Sequence, residues 1–125
     1  MIEFRADGVP VPQGSMKVIH GRVLHSQGSA LAVWRSTIGF HAKLAGAKPS
    51  EGAMEIQMVF IMPKPKTVKR AYPTVAPDLD KLVRAVLDAL TGICYLDDSQ
   101  VTDIRASKVY GSSTGVEIRL TQKYF

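Results

Sequence analysis

Five carboxylates fall within a short stretch of this chain: Asp78, Asp80, Asp88, Asp97 and Asp98. Only Leu79 separates Asp78 from Asp80, and Asp97 and Asp98 are adjacent. Residues two apart in a helix point about 200° apart at 3.6 residues per turn. Asp78 and Asp80 therefore face a common cation only if Asp78 lies at or before the helix start, which the Pro77-Asp78 junction allows. A third carboxylate, from Asp97 or Asp98, would close an oxygen-rich site. Such a site suits Mg²⁺, a hard cation that takes carboxylates together with water and substrate phosphate oxygens. Lys64, Lys66, Lys69, Arg70, Lys81 and Arg84 lie around these acids in the sequence. That setting is odd for a purely structural ion and sensible for a site that admits a polyanion.

Each acid also has a structural reading. Asp78 would be an N-cap that accepts from free N–H groups of the first helical turn. Asp80 in that turn would favour the helix dipole by about 0.3–1 kcal/mol. Asp80 to Arg84 and Arg84 to Asp88 would form i,i+4 pairs worth about 0.2–0.5 kcal/mol each. Asp97-Asp98-Ser99 would be a polar turn.

The elements that position these groups follow from periodicity. Ile2, Phe4 and Ala6 alternate with Glu3, Arg5 and Asp7, the pattern of a half-buried strand. Val9 to Gly14 breaks regular structure, and Met16 to Leu24 reads as a short hairpin around His20-Gly21. From about Ser29 to Gly46, Leu31, Trp34, Ile38, Ala42 and Ala45 recur at helical spacing. Gly39 inside that helix costs on the order of 1 kcal/mol relative to alanine. Met54, Ile56, Met58, Phe60 and Met62 alternate as a strand, and Val59 and Ile61 imply that its far end is covered on both faces. Lys64 to Arg70 is a basic loop holding Pro65. A second helix spans about Asp78 to Leu90, with Leu79, Leu82, Val83, Val86 and Leu90 on its apolar stripe. Ile104 to Tyr110 and Val116 to Lys123 read as two strands, with Gly111 to Gly115 joining them as a hairpin loop. The order predicts a single α+β domain over residues 1–125, with two main helices on a mixed or antiparallel sheet.

Composition narrows the class. The chain has 125 residues, 16 Lys plus Arg against 11 Asp plus Glu, and a formal charge of +5. With 46% apolar and 22% charged residues, neither a disordered chain nor a membrane span fits. The run from Met58 to Pro63 falls far short of the ~20 residues needed to cross a bilayer. No stretch reads as a signal peptide, and the lone Cys94 fits a reducing compartment, so the expected location is the cytoplasm. Cys94, between Ile93 and Tyr95, is expected to be a small buried hydrophobe. A basic surplus favours polyanionic partners.

Other motifs fail. Asp78-x-Asp80 does not continue as a calcium loop, since Val83 and Ala89 stand where Gly and Glu are needed. No Gly-Lys-Ser/Thr phosphate loop occurs, and no zinc-like Cys and His pairing. His20, His25 and His41 are scattered. Gly14-Ser15 lacks the surroundings of a nucleophile elbow.

Asp78-Leu79-Asp80, the amphipathic helix ending Leu87-Asp88-Ala89-Leu90, and Leu96-Asp97-Asp98-Ser99-Gln100-Val101 together resemble the signature of RusA-type Holliday junction resolvases. The matched core runs from about Pro77 to Lys108. The resemblance implies a homodimeric α+β fold and a Mg²⁺ site built from Asp78, Asp80 and Asp98. It also implies paired nicking of strands of like polarity across a four-way junction. Asp97 is a neighbour of open role. Two positions depart from the family pattern: Lys81 stands where Asn is common, and Arg84 stands where a Lys important for cleavage is usual. Arginine grips phosphate through a planar fork, whereas an ammonium is a compact point charge; either Arg84 or Lys81 would take that role.

The expected function is therefore Mg²⁺-dependent, structure-specific cleavage of branched DNA in recombination or repair. Asp78, Asp80, Asp98, Arg84 and Lys81 would carry the reaction, and Lys17, Lys64, Lys66, Lys69 and Arg70 would track backbone phosphates. A C2 dimer would match the approximate twofold symmetry of the junction. The competing readings are a junction-binding protein with little or no nuclease activity, and a related Mg²⁺ nuclease acting on other branched DNA.

Overall fold

The computed structural model describes residues 1–14, 16–19, 22–25 and 28–123. Eight main elements follow in order: β1 (Ile2–Asp7), β2 (Met16–Ile19), β3 (Arg22–His25), α1 (Gly28–Leu44), β4 (Met54–Met62), α2 (Leu79–Leu90), β5 (Val101–Tyr110) and β6 (Gly115–Gln122). A short 3₁₀ turn, Asp98–Gln100, precedes β5. The result is the α+β arrangement expected, with two helices and a mixed four-stranded sheet in the order β1-β6-β4-β5. β2 and β3 pair antiparallel as a separate ribbon. The turn at His20-Gly21 and the side chain of Lys17 lie outside the described residues.

One expectation is corrected. β5 and β6 do not form a hairpin: β4 lies between them, parallel to β5 and antiparallel to β6. Their side-chain alternation says which face each strand buries, not which strand stands beside it. The parallel β4–β5 pair requires a crossover between them, and α2 lies on that crossover. β5 also begins earlier than its periodicity implies, at Val101, because Thr102 to Arg105 are exposed and carry no apolar alternation. β1 and β5 are the sheet's edges.

Burial follows the period-two pattern in β4, where Met54, Ile56, Met58, Phe60 and Met62 are buried and the intervening residues half-buried. Val116, Ile118 and Leu120 of β6 join them, and Trp34 and Ile38 of α1 and Leu82, Val86 and Leu90 of α2 complete the core. Each large apolar side chain so enclosed contributes about 1.5–3 kcal/mol. Gly39 is explained by this packing. A Cβ there would lie 2.8 Å from Ile93 Cδ1 in the turn after α2, so the helix-propensity cost accompanies close contact between the elements. The opposite face of the sheet is charged, with Glu3–Arg119 and Arg5–Glu117 forming ion pairs between registered partners on β1 and β6. No helix among the described residues is long and apolar enough to cross a membrane.

Candidate functional site

The segment from Pro63 to Asp78 contains no helix or strand, and side chains fasten it to the far end of β5. Lys108 Nζ donates to the carbonyl oxygens of Val75 and Pro77, both at 2.8 Å. Arg70 Nε donates to the Tyr110 hydroxyl at 2.9 Å, and Lys64 Nζ stands 5.7 Å from the centre of the Tyr110 ring. The basic loop is thereby drawn to the same end of the molecule as Asp78. Lys66 and Lys69 are exposed on it. A cavity of about 750 Å³ opens there, bordered by Arg70, Asp78, Lys81, Lys108 and Tyr110 among apolar residues.

Asp78 is the N-cap residue of α2, with extended backbone angles φ −69° and ψ 142°. It sits outside the helix, as sharing a cation with Asp80 requires. Its side chain makes no capping hydrogen bond, so the capping explanation for this acid is not met. Instead it lies 3.4 Å from Lys81 Nζ, in an exposed ion pair of the kind worth about 0–1 kcal/mol. Asp80 in the first turn and Arg84 one turn later are exposed, and neither forms a salt bridge among the described residues. The Asp80–Arg84–Asp88 ladder of the structural reading is therefore not formed.

Asp97 and Asp98 stand at the other end of α2. Asp97 caps the 3₁₀ turn: its Oδ1 accepts from the Ser99 backbone N–H at 2.8 Å, which holds the carboxyl below its ordinary pKa. Asp98 is exposed, and among the described residues its carboxylate takes part in no hydrogen bond or salt bridge. The adjacent pair thus divides its work, one acid spent on the backbone and one left open. Nearby, the buried Tyr95 donates its hydroxyl to the Leu87 carbonyl at 2.7 Å. Burial raises the Tyr95 pKa, and the hydroxyl's bond to Leu87 fastens the segment leading to Asp98 to the last turn of α2.

These observations separate the acids. α2 runs back along β5, with the residues before Asp78 held by Lys108 and Asp98 lying ahead of Val101. At about 3.3 Å per residue, the run of β5 from Val101 to Lys108 spans roughly 20 Å. One chain therefore gathers Asp78, Asp80, Lys81 and Arg84 at one end and holds Asp98 with Asp97 at the other. Among the described residues no three His, Cys, Asp or Glu side chains stand close enough together to hold a metal ion. In chemistry the donor set fits a hard divalent cation, because Asp80 and Asp98 keep their oxygens uncommitted and Asp78 is engaged only by an exposed ammonium. A single chain does not bring that set together.

Two residues outside the expected site hold its parts in place. Lys108 secures the approach to Asp78, and Gln100 bonds the Asp97-Asp98 turn to Ser50 and Gly52. Neither was legible as such, since the carbonyls they bind are far away in sequence.

A family model described as endodeoxyribonuclease RusA matches residues 7–121 of this chain. An uncharacterized protein of Bacillus subtilis (strain 168), YqaN, is 30% identical over 139 residues, covering 97% of this chain and 96% of its own length.

Proposed function

The chain belongs to the RusA endodeoxyribonuclease family, a family of DNA-cutting hydrolases, and from that premise we propose that it resolves four-way DNA junctions as a metal-dependent homodimer. The observation that carries this reading is the separation of Asp78 and Asp80 from Asp98 along α2. A second copy packed antiparallel, with its twofold axis midway along β5, sets the Asp98 end of one copy beside the Asp78 end of the other. The midpoint between Val101 and Lys108 falls at Ile104 and Arg105, where Ile104 is a large apolar side chain 47% exposed on an edge strand. Two equivalent sites result, as paired nicks across a nearly twofold junction require.

In each site Asp78 and Asp80 of one copy and Asp98 of the other would hold a divalent cation, Mg²⁺ by the hardness of the donors. Such a cation, when bound, activates water for attack on phosphorus and offsets charge in an in-line displacement. The protein's own groups orient the phosphate. Arg84, exposed and outside any ion pair among the described residues, reaches a non-bridging oxygen through its fork. Lys81, engaged with Asp78, tunes that carboxylate's position. Lys64, Lys66, Lys69 and Arg70, with Lys17, follow backbone phosphates and favour junction shape over base sequence. The replacements at Lys81 and Arg84 give a second reading substance: a junction-binding protein that does not cut.

The test is complementation between inactive chains. Asp78→Asn and Asp98→Asn are each expected to abolish cleavage of a synthetic four-way junction in Mg²⁺. Mixed and allowed to exchange subunits, they form heterodimers in which one site carries both defects and the other is intact, so single nicks return. Asp78→Asn mixed with Asp80→Asn restores nothing. Absence of rescue in the first mixture, with exchange verified, would rule out a site shared between copies. Salt-sensitive binding without cleavage by the unaltered chain would favour the second reading.

A further inference from the structure

Gln100 uses all of its side-chain hydrogen-bonding capacity. An amide has two acceptor lone pairs and two donor hydrogens. Here Oε1 accepts from the backbone N–H groups of Leu96 at 2.8 Å and Asp97 at 2.9 Å. Nε2 donates to the carbonyl oxygens of Ser50 at 2.7 Å and Gly52 at 2.9 Å. The amide therefore bridges the irregular segment entering the acidic turn and the loop that leads into β4. Other bonds of the turn are local: Ser99 N–H to Asp97 Oδ1, and Gln100 N–H to the Asp97 carbonyl at 3.0 Å. Local bonds shape the turn without fixing it to the body of the protein.

From this geometry we infer that Gln100 is a positioning residue for Asp98, holding the turn so that its carboxylate presents to a divalent cation shared with the partner copy. The inference rests on the reading of Asp98 as a metal ligand. Only a primary amide satisfies both sides of the bridge: a carboxylate turns an acceptor toward the two carbonyls, and an ammonium cannot accept from the two amides. Asp98 itself is exposed and in no salt bridge among the described residues, so its placement comes from its backbone. The Ser50 N–H to Cys94 carbonyl bond and the Val101–Met54 pairing anchor the flanks. Among the described residues, Gln100 alone ties the turn between them to the loop before β4. Losing comparable supporting hydrogen bonds around metal ligands typically costs 10–100-fold in metal affinity.

The experiment measures Mn²⁺ affinity by the electron paramagnetic resonance of free Mn²⁺, on the full chain and without DNA. Asp98→Asn, Gln100→Met and Gln100→Glu are compared with the unaltered protein, and circular dichroism verifies folding. Gln100→Met is expected to bind Mn²⁺ 10–100-fold more weakly. Gln100→Glu, which sets a carboxylate oxygen against the Ser50 and Gly52 carbonyls, is expected to weaken binding as well, and affinity unchanged in folded Gln100→Glu overturns the need for the amide. Affinity unchanged in folded Gln100→Met, while Asp98→Asn loses it, overturns the positioning role and leaves the metal reading intact. Affinity unchanged in Asp98→Asn removes the metal reading and this inference with it. If Gln100→Met does not fold, amide hydrogen exchange on the unaltered chain decides. Slowed exchange at both Leu96 and Asp97 supports the brace, and exchange at unprotected rates overturns it.

Discussion

Lys108 Nζ lies 2.8 Å from the carbonyl oxygen of Pro77, the residue directly ahead of Asp78. With a second bond to Val75, the ammonium fastens an irregular segment to β5 and sets where α2 begins. Hydrogen bonds to charged groups are worth about 1.5–3 kcal/mol. Lys108→Met is expected to lower stability by roughly that amount in urea unfolding, leaving two carbonyls without their donor. Cleavage is expected to fall at least tenfold in kcat because Asp78 loses its fixed approach. Junction affinity should change far less, because Arg70 and Lys64 still hold the basic loop against Tyr110.

Asp97 and Asp98 are adjacent yet differently employed, so their amide variants separate. Asp97→Asn keeps an oxygen that accepts from Ser99, and cleavage is expected to stay within about tenfold of the unaltered rate, as for a retained cap. Asp98→Asn is expected to lose cleavage by at least a hundredfold. Acid sensitivity gives Asp97 a mark of its own. The Asp97 pKa lies below its ordinary value, so its stabilising contribution is present above pH about 4 and is lost as pH falls through the folded value. Asp97→Asn should remove that part of the acid limb in a series of urea unfolding curves.

Ile104 marks the proposed twofold axis. Replacing this half-exposed residue by a charge costs little within one chain, since it stands on an edge strand outside the core. At the centre of an interface the same change buries an unpaired carboxylate. Ile104→Asp is expected to shift sedimentation from dimer to monomer, with melting reduced only through the lost association. Junction cleavage and Mg²⁺ binding should fall together with dimer content.

Cys94 and Tyr95 give the fold an alkaline weakness. Burial pushes the Cys94 thiol from an ordinary 9.0 up to about 11, and burial raises the Tyr95 phenol as well. The folded chain therefore keeps protons that the unfolded chain releases. Stability is full below about pH 9 and declines as pH rises toward 11, by about 1.4 kcal/mol per unit for the thiol alone. Cys94→Ala should be weaker by about 1 kcal/mol at pH 7, from the lost packing. Above pH 9 its unfolding midpoints should decline less steeply than those of the unaltered chain, since one titrating group is gone.

Much of this molecule is written in local pattern. The stripe of Leu82, Val86 and Leu90 sets the buried face of α2, and the alternation from Met54 to Met62 sets that of β4, because side-chain periods of 3.6 and 2 follow from backbone geometry alone. The spacing of Asp78, Asp80, Asp97 and Asp98 likewise offered the candidate acids, and the Pro77-Asp78 junction allowed Asp78 to stand outside the helix. Pattern carries no information about which elements lie side by side. The insertion of β4 between β5 and β6 depends on long-range pairing, and with it come the antiparallel course of α2 along β5 and the placing of Asp78 and Asp98 at opposite ends of that helix. The bridges made by Gln100 to Ser50 and Gly52, and by Lys108 to Val75 and Pro77, are equally invisible beforehand, because backbone carbonyls are identical in every residue. The sequence by itself determined which carboxylates the molecule offers; only the tertiary structure decided that one chain holds them apart, since distance along a helix and a strand is set by how the two are packed.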